Sequence, residues 1–227
     1  MSKPKPFFLH CLAFLAAILP AHGAKLSPPA PQTLLQMAGV RVEPAHLSDS
    51  VLIIIDAQRE YVDGKLPLDG IDASLKEAGI VLARARKAAT QVIHVIHHGK
   101  PGAALFDPNG PYVQIAAAVA PRPDEIVVTK TLPNAFAGTD LEAQIKRTGR
   151  KNLIVIGYMT HICLSSTVRA ALDLGYRTTV VAGASATRDL PDGDGGAIPA
   201  RVVQRASLAA LADRFAAVVH SADDVPE

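Results

Sequence analysis

The sequence predicts an α/β fold in which a mostly parallel, Rossmann-like sheet is covered by helices on both faces. Six short runs rich in β-branched residues alternate with helical patterns along the chain. The runs are almost continuously apolar, which is typical of strands buried on both faces. Strands that alternate with helices favour parallel pairing, because each helix crosses over the sheet. The six runs lie at residues 51–55, 92–96, 126–129, 153–156, 178–182 and 215–219.

The segments between the runs carry helical periodicity. In the first, apolar residues recur on one face at a spacing of three and four. In the second, Thr139 and Glu142 have the spacing of a capping box, which predicts the start of a helix. Glycines after the second and third segments are typical of helix C-termini. The predicted helices lie at residues 75–89, 139–149, 163–175 and 200–213.

The first 23 residues have the pattern of a secretory signal peptide. Lys3 and Lys5 form a short positive start, and residues 7–19 are apolar except for one histidine. Residues 21–23 (AHG) have the small-x-small pattern of a cleavage site. The alternative is an uncleaved membrane anchor, but the apolar run is too short for a stable transmembrane span. We therefore expect a periplasmic or secreted protein without stable membrane insertion after processing.

Beyond the signal segment we expect a linker and N-terminal extension at 24–45, then one domain at 46–227. The full chain has 23 basic and 21 acidic side chains, which gives no basic excess for binding nucleic acid. Its two cysteines are too few for a disulfide framework or a four-thiolate zinc site. Cys11 would leave with the signal segment, so Cys163 would be the single cysteine of the mature chain.

Chemically active side chains follow three of the predicted strands. Asp56 follows the first run, Lys130 the third, and Cys163 stands near the start of the helix after the fourth. Ligands of open parallel sheets bind at the carboxyl ends of strands, where strand order reverses. We therefore expect these three side chains to lie close together. The positive end of the helix dipole predicts a lowered pKa for Cys163, which favours the thiolate.

Three segments together resemble the isochorismatase-like cysteine hydrolase superfamily. They are Asp56-Ala57-Gln58 after the first strand, the segment 127–142 (VVTKTLPNAFAGTDLE) and the segment 155–176 (VIGYMTHICLSSTVRAALDLGY). Each segment alone is a weak pattern, but the three in this order and on these elements are a specific signal. The resemblance extends from about residue 46 to residue 220. It implies a three-layer sandwich, with a six-stranded parallel sheet between two helical layers.

The resemblance also implies a catalytic triad of Asp56, Lys130 and Cys163. In such a triad the thiolate attacks a carbonyl carbon, the aspartate transfers protons, and the lysine stabilises both anions. The family pattern implies a cis peptide bond between Tyr158 and Met159, and backbone N–H groups of Met159 and Cys163 facing the oxyanion. The predicted reaction is hydrolysis of a small amide or related carbonyl–nitrogen bond, with no cofactor and a small-molecule substrate. Related proteins suggest a homo-oligomer.

Histidines near the second strand raise the question of a metal site. Nicotinamidases of this superfamily bind a divalent metal through Asp-x-His at this strand end, whereas this chain has His97-His98-Gly99 without a carboxylate. We therefore expect no metal, with His94 packed or hydrogen-bonded in the core and His97 or His98 at most lining a pocket. Isochorismatases proper usually lack the thiol, so Cys163 favours amide chemistry over vinyl-ether hydrolysis.

Four further residues are candidates for the substrate pocket. Tyr61, Phe106 and Phe136 flank the triad segments and either line a small apolar pocket or pack on the scaffold. His161 lies within the turn that carries Cys163.

Two alternatives to an active hydrolase remain on the sequence alone. One is a small-molecule-binding or redox-sensing protein on the same scaffold, and the other is a relative that has lost turnover.

Overall fold

A computed structural model describes Met1 and residues 30–227, and residues 32–227 form one compact unit. The predicted signal peptide, beyond Met1, lies outside the described residues. The strands of the main sheet are β1 (Ser50–Ile55), β2 (Gln91–His97), β3 (Ile126–Lys130), β4 (Asn152–Tyr158), β5 (Arg177–Ala186) and β8 (Ala217–Val219). The predicted α/β fold is confirmed, because these six strands pair in one fully parallel sheet of order β3-β2-β1-β4-β5-β8.

The last two strands of the sheet differ in length from the prediction. β5 is longer, because its register with β4 shifts after Val155 and pairing resumes at Gly157 with Ser185. β8 begins two residues later than expected, since the N–H of Phe215 still donates to Leu211 at the end of the preceding helix. A short antiparallel hairpin follows β5: β6 (Leu190–Pro191) pairs with β7 (Ala197–Ile198).

Helices cover both faces of the sheet and complete the predicted three-layer sandwich. Within residues 30–227 the α-helices are α1 (Leu34–Met37), α2 (Ile71–Lys87), α3 (Leu141–Arg147), α4 (Ser165–Asp173) and α5 (Ala200–Arg214). The predicted capping box of α3 is wrong. Asp140 is the N-cap residue, and Glu142 pairs with Lys146 instead of reaching back to the helix start.

The central strand β1 separates two aliphatic cores. Leu52 and Ile54 pack with α2 on one face, whereas Val51, Ile53 and Ile55 pack with α3, α4 and α5 on the other. Every residue of β1 is buried. Burying one such aliphatic side chain contributes about 1.5–3 kcal/mol, so these alternating contacts hold the sheet between its helical layers.

The N-terminal extension contacts the domain through polar groups. The N–H of Leu34, at the start of α1, donates to Asp213 Oδ1 on α5 at 2.8 Å. Farther along, the N–H of Ala45 donates to Thr179 Oγ1 on β5 at 2.8 Å. Part of the segment expected to be a linker is therefore attached to the domain. Among the described residues, no helix is both long and apolar enough to cross a membrane.

Candidate active site

The candidate site lies where the strand order of the sheet reverses. The chain leaves β1 for β2 and β3 on one side and returns to β4 on the other, so β1 and β4 are neighbours at this point. Asp56 directly follows β1, and the segment that carries Cys163 directly follows β4. Gly157 makes the close approach of the two strands feasible, because a Cβ atom there would overlap the Ile55 carbonyl oxygen.

Lys130 is at the centre of a group of buried polar side chains. Its Nζ lies 2.8 Å from Asp56 Oδ2, 3.4 Å from Cys163 Sγ and 3.2 Å from His97 Nδ1. Asp56 is 0% exposed, Lys130 1% and Cys163 7%. An ammonium has three N–H donors and no acceptor, so Lys130 can donate to Cys163 and His97 while its charge pairs with Asp56. The contact with His97 follows from the sheet, since His97 and Lys130 are paired in register.

Asp56 combines an ion pair with unused hydrogen-bonding capacity. The Lys130 contact has ion-pair distance but not hydrogen-bond direction, and neither carboxylate oxygen has a hydrogen-bond donor among the described residues. Burial raises the pKa of Asp56 to about 6, although the Lys130 charge opposes this shift. Asp56 has a left-handed backbone (φ 49°), which Asp tolerates better than most residues. A carboxylate in this state is able to accept a proton near neutral pH.

The environment of Cys163 differs from the one expected at a helix start. Cys163 lies in a π-helical turn (Thr160–Leu164) that precedes α4. Burial raises the pKa of the Cys163 thiol to about 12, the Asp56 charge adds to the increase, and the Lys130 charge opposes it. The predicted lowering of this pKa is therefore wrong, because desolvation outweighs the helix dipole and the neighbouring cation.

Two buried side chains that sequence reasoning did not assign hold the site together. Gln58 Nε2 donates to the carbonyls of His97 (3.0 Å) and Val113 (2.7 Å), and its Oε1 accepts from the N–H of His97 at 2.8 Å. Thr167 Oγ1 donates to the Cys163 carbonyl at 2.8 Å and accepts from the N–H of Ala135 at 3.0 Å. In the sequence, the Asp-x-Gln spacing is the pattern that could have identified Gln58. The position one helical turn after Cys163 could have identified Thr167.

The three aromatic pocket candidates fall into two groups. Tyr61 packs edge-on against Phe106, with ring centroids 5.2 Å apart, and Phe106 packs edge-on against His97 at 5.1 Å. These aromatic rings therefore adjoin the Lys130 group through His97. Phe136 instead stacks on Tyr176, with centroids 6.1 Å apart, which supports packing on the scaffold.

His161 is half-buried and is oriented by a neighbouring loop. Its Nδ1 is hydrogen-bonded to Thr187 Oγ1, the residue just after β5. Burial lowers the pKa of His161, and the Arg188 cation adds to this effect.

The peptide bond between Tyr158 and Met159 is cis. An oxyanion role for the N–H groups of Met159 and Cys163 stays a prediction.

Known proteins match this chain in both sequence and structure. The family model of the isochorismatase domain matches residues 50–223. The chain belongs to the isochorismatase family. A secreted isochorismatase effector, Isc1, of Verticillium dahliae is 37% identical over 187 residues, which cover 82% of this chain and 96% of that protein. A streptothricin hydrolase of Streptomyces noursei is 34% identical over 173 residues, covering 75% of this chain and 68% of that protein.

A solved isochorismatase structure from Pseudomonas putida KT2440 has the same fold. It superposes with a TM-score of 0.81 at 43% identity, covering 86% of this chain and 99% of that one. Members of the isochorismatase family are hydrolases, so this chain is a hydrolase of that family. Membership of the family accounts for the parallel sheet. Which bond the enzyme cleaves depends instead on the site residues where the strand order reverses.

The two histidines of β2, His94 and His97, each contact a charged side chain. His94 is buried, and its Nε2 lies 2.9 Å from Glu125 Oε2, in agreement with the predicted hydrogen-bonded core role. His97 Nδ1 lies 3.2 Å from the Lys130 ammonium, which can donate a hydrogen bond to it. Within residues 30–227, no three His, Cys, Asp or Glu side chains come together at metal-binding distance.

Proposed function

We propose that this isochorismatase-family hydrolase cleaves a small amide, or a related carbonyl–nitrogen bond, through a thioester on Cys163. The observation that carries the proposal is the buried Lys130 ammonium, which lies between the Asp56 carboxylate and the Cys163 sulfur. Covalent acyl transfer requires a nucleophile with a proton acceptor beside it, and a nearby cation stabilises the charges that develop. The three side chains provide these groups at one edge of the sheet. The hydrophobic cores on both sides of β1 keep this group away from bulk water.

Two further relatives support the choice of bond by their names. A ureidoacrylate amidohydrolase of Variovorax paradoxus is 29% identical over 217 residues, covering 79% of this chain and 81% of that protein. A maleamate amidohydrolase of Pseudomonas putida is 29% identical over 147 residues, covering 57% of this chain and 68% of that protein. Both names describe the hydrolysis of small amides, which fits a reaction that needs a nucleophile and a proton donor to the leaving nitrogen.

The proposed reaction has two stages that share one acid–base group. In the first, the Cys163 sulfur attacks the amide carbon while its proton passes to Asp56. The C–N bond then breaks as Asp56 gives that proton to the leaving amine. In the second, water attacks the thioester, Asp56 takes a proton from the water, and the thiol leaves with a proton. Lys130 stabilises the carboxylate and the developing thiolate in both stages.

A redox-sensing role is the weaker candidate for the same cysteine. Sensor thiols are exposed and have a lowered pKa, whereas Cys163 is buried and burial raises its pKa to about 12. Such a thiol needs a nearby base at the moment of attack, and Asp56 is in position to act as that base. This arrangement favours an enzyme over a sensor.

The proposed function is tested with a panel of primary amides and ureido acids. We expect the purified chain to release ammonia from members of the panel and to leave a vinyl ether such as isochorismate intact. Hydrolysis of the vinyl ether without ammonia release from any amide would contradict the proposal and support isochorismatase-type chemistry.

Turnover is expected to be independent of metal ions. The reason is the ammonium next to His97, together with the absence of a carboxylate at residues 97–99. Dialysis against a strong chelator should leave kcat unchanged. A loss of activity that zinc, iron or manganese restores would refute this prediction and support the nicotinamidase alternative.

His97 is expected to affect the rate through the position of Lys130. His97→Phe keeps an aromatic ring beside Phe106 but removes the acceptor of one buried ammonium N–H. An unsatisfied buried donor costs about 1–3 kcal/mol, so we expect kcat/KM to fall about 10-fold. His97→Asn places an oxygen near the position of Nδ1 and should restore most of the loss. Equal losses in both variants would contradict this role.

Export is proposed from the N-terminal pattern, and the secreted relative of Verticillium dahliae supports it. We expect cleavage after Gly23, giving a mature chain that starts at Ala24. N-terminal sequencing of the protein from its native host checks this. A chain that keeps Met1 and is found in the soluble cytoplasm would refute export.

A further inference from the structure

Glu60 is a buried acidic residue outside the proposed triad. It lies in the short helical turn Arg59–Tyr61 that follows β1, and it is 3% exposed. Within residues 30–227, no Lys, Arg or His side chain forms an ion pair with it. Burial of a carboxyl group is unfavourable unless hydrogen bonds compensate, so the contacts that Glu60 does make indicate its role.

The carboxyl group of Glu60 connects two segments of the chain. Its Oε1 accepts the N–H of Lys65 at 2.8 Å, and its Oε2 accepts the N–H of Phe106 at 3.0 Å. The backbone of Glu60 adds a third contact, since its N–H donates to the Tyr112 carbonyl at 2.9 Å. Glu60 therefore attaches the 98–112 loop, which follows β2, to the turn that follows β1.

Phe106 depends on this attachment because its backbone is left-handed. A φ of 55° is unfavourable for a bulky side chain. Hydrogen bonds on both sides of the residue hold it there, since its N–H donates to Glu60 and its carbonyl accepts the N–H of Gly99 at 2.8 Å. Glu60 and the outer residues of the 98–112 loop line a cavity of about 190 Å³. Hydrogen bonds, more than dense packing, therefore fix this part of the loop.

The ring of Phe106 borders the proposed triad. It packs edge-on against both Tyr61 and His97, and His97 contacts the ammonium at the centre of the site. Burial raises the pKa of Tyr61, and the charges of Asp56 and Cys163 add to the increase, so Tyr61 lies near the triad. The position of the Phe106 ring therefore sets one side of the site.

We propose that Glu60 is a positioning residue that fixes the ring of Phe106 as a wall of the site and so limits the reaction to amides with short acyl groups. The wall excludes longer chains by steric contact, whereas the triad itself is unaffected. A packed apolar pocket discriminates a single methylene by about 10–200-fold. This inference rests on the proposed function and adds the feature that selects its substrate class.

Propanamide and hexanamide test the proposal, because both are primary amides and they differ only in chain length. For the wild-type chain, kcat/KM should be at least about 100-fold higher with propanamide. In Glu60→Gln the side-chain NH₂ would face one of the two backbone N–H donors, so one hydrogen bond is lost. The preference for propanamide should then fall about 10-fold, chiefly through a lower KM for hexanamide. Glu60→Asp, which is one methylene shorter, is a second variant and should change the preference in the same direction.

Further variants show whether Glu60 acts through Phe106. Phe106→Gly removes the ring and tolerates the left-handed backbone, so it should fold and lose at least as much of the preference. The double variant should match Phe106→Gly alone, because residues that act through one contact are not additive. Glu125→Gln is the matched control, since the Glu125 side chain is 7% exposed and accepts the N–H of Arg122 at 2.9 Å, but it precedes β3 at the end of the sheet opposite the site. It should lower thermal stability and keep the wild-type preference.

A second readout needs no turnover. The rates at which iodoacetamide and the longer N-hexyl-2-iodoacetamide alkylate Cys163 are measured by mass spectrometry. The longer reagent should react much more slowly with wild type, and the difference should shrink in Glu60→Gln and in Phe106→Gly. This pattern without ammonia release from any amide would support the wall and contradict the amidase proposal. Equal rates for both reagents in wild type, an unchanged ratio in folded Glu60→Gln, or an equal change in Glu125→Gln would overturn the Glu60 proposal and leave the amidase proposal intact.

Discussion

Replacing Cys163 by alanine is expected to reduce amide hydrolysis by at least about 10⁴-fold, because the reaction loses its nucleophile. The Cys163 sulfur is 3.4 Å from Lys130 Nζ and lies at the edge where β1 and β4 meet. A water molecule in the place of the sulfur could not form the covalent thioester intermediate. The measurement is the rate of ammonia release under saturating amide.

Two other variants make this result specific. Cys163→Ser keeps the shape of the side chain but offers a far less acidic hydroxyl, so a large loss is expected there as well. Ser166→Ala removes a hydroxyl from α4, the helix that follows the Cys163 turn, and should leave the rate unchanged. Circular dichroism should show folded protein in all three. Wild-type turnover in Cys163→Ala would mean that water attacks the amide directly.

Replacing Asp56 by asparagine is expected to lower kcat by about 10²–10⁴-fold, the usual contribution of a general acid–base group. Asparagine keeps the shape of the side chain but cannot take the proton of a thiol whose pKa is raised to about 12. It also cannot return a proton to the leaving amine. Asp63→Asn, which removes an exposed carboxylate paired with Arg59, is the matched control and should leave kcat unchanged.

The pH dependence of the wild-type rate provides a check on the same residue. Burial raises the pKa of Asp56 to about 6, so the base is protonated and inactive below that value and ionised above it. We expect kcat/KM to rise tenfold per pH unit below about pH 6 and then to level. This limb should disappear in Asp56→Asn. An unchanged profile in the variant would assign the limb to another group.

The sequence was sufficient for the architecture because the sheet is buried on both faces. The runs at 51–55 and 153–156 are continuously apolar for that reason, and both became central strands. The extent of β5 was harder to foresee, because its second half depends on a register shift against β4 that no pattern in β5 itself encodes. The N-cap of α3 is Asp140, one residue after the predicted Thr139, whose hydroxyl donates to the Ala135 carbonyl.

The site was only partly predictable, because its electrostatics depend on burial. Asp56, Lys130 and Cys163 could be selected from strand ends, but the pKa of Cys163 could not, since its direction is set by desolvation in the folded chain. The sequence predicts at most a pocket-lining role for His97, and only the pairing of β2 with β3 brings it to Lys130.

Acid-quench mass spectrometry of the enzyme during turnover tests the central claim most directly. An activated ester and an amide of the same acid are mixed with the wild-type chain, and the peptide that contains Cys163 is weighed. The ester accelerates acylation, so the thioester should accumulate and add the mass of the acyl group to that peptide alone. With the ester, product that forms while the Cys163 peptide stays unmodified at every time point would contradict a thioester mechanism.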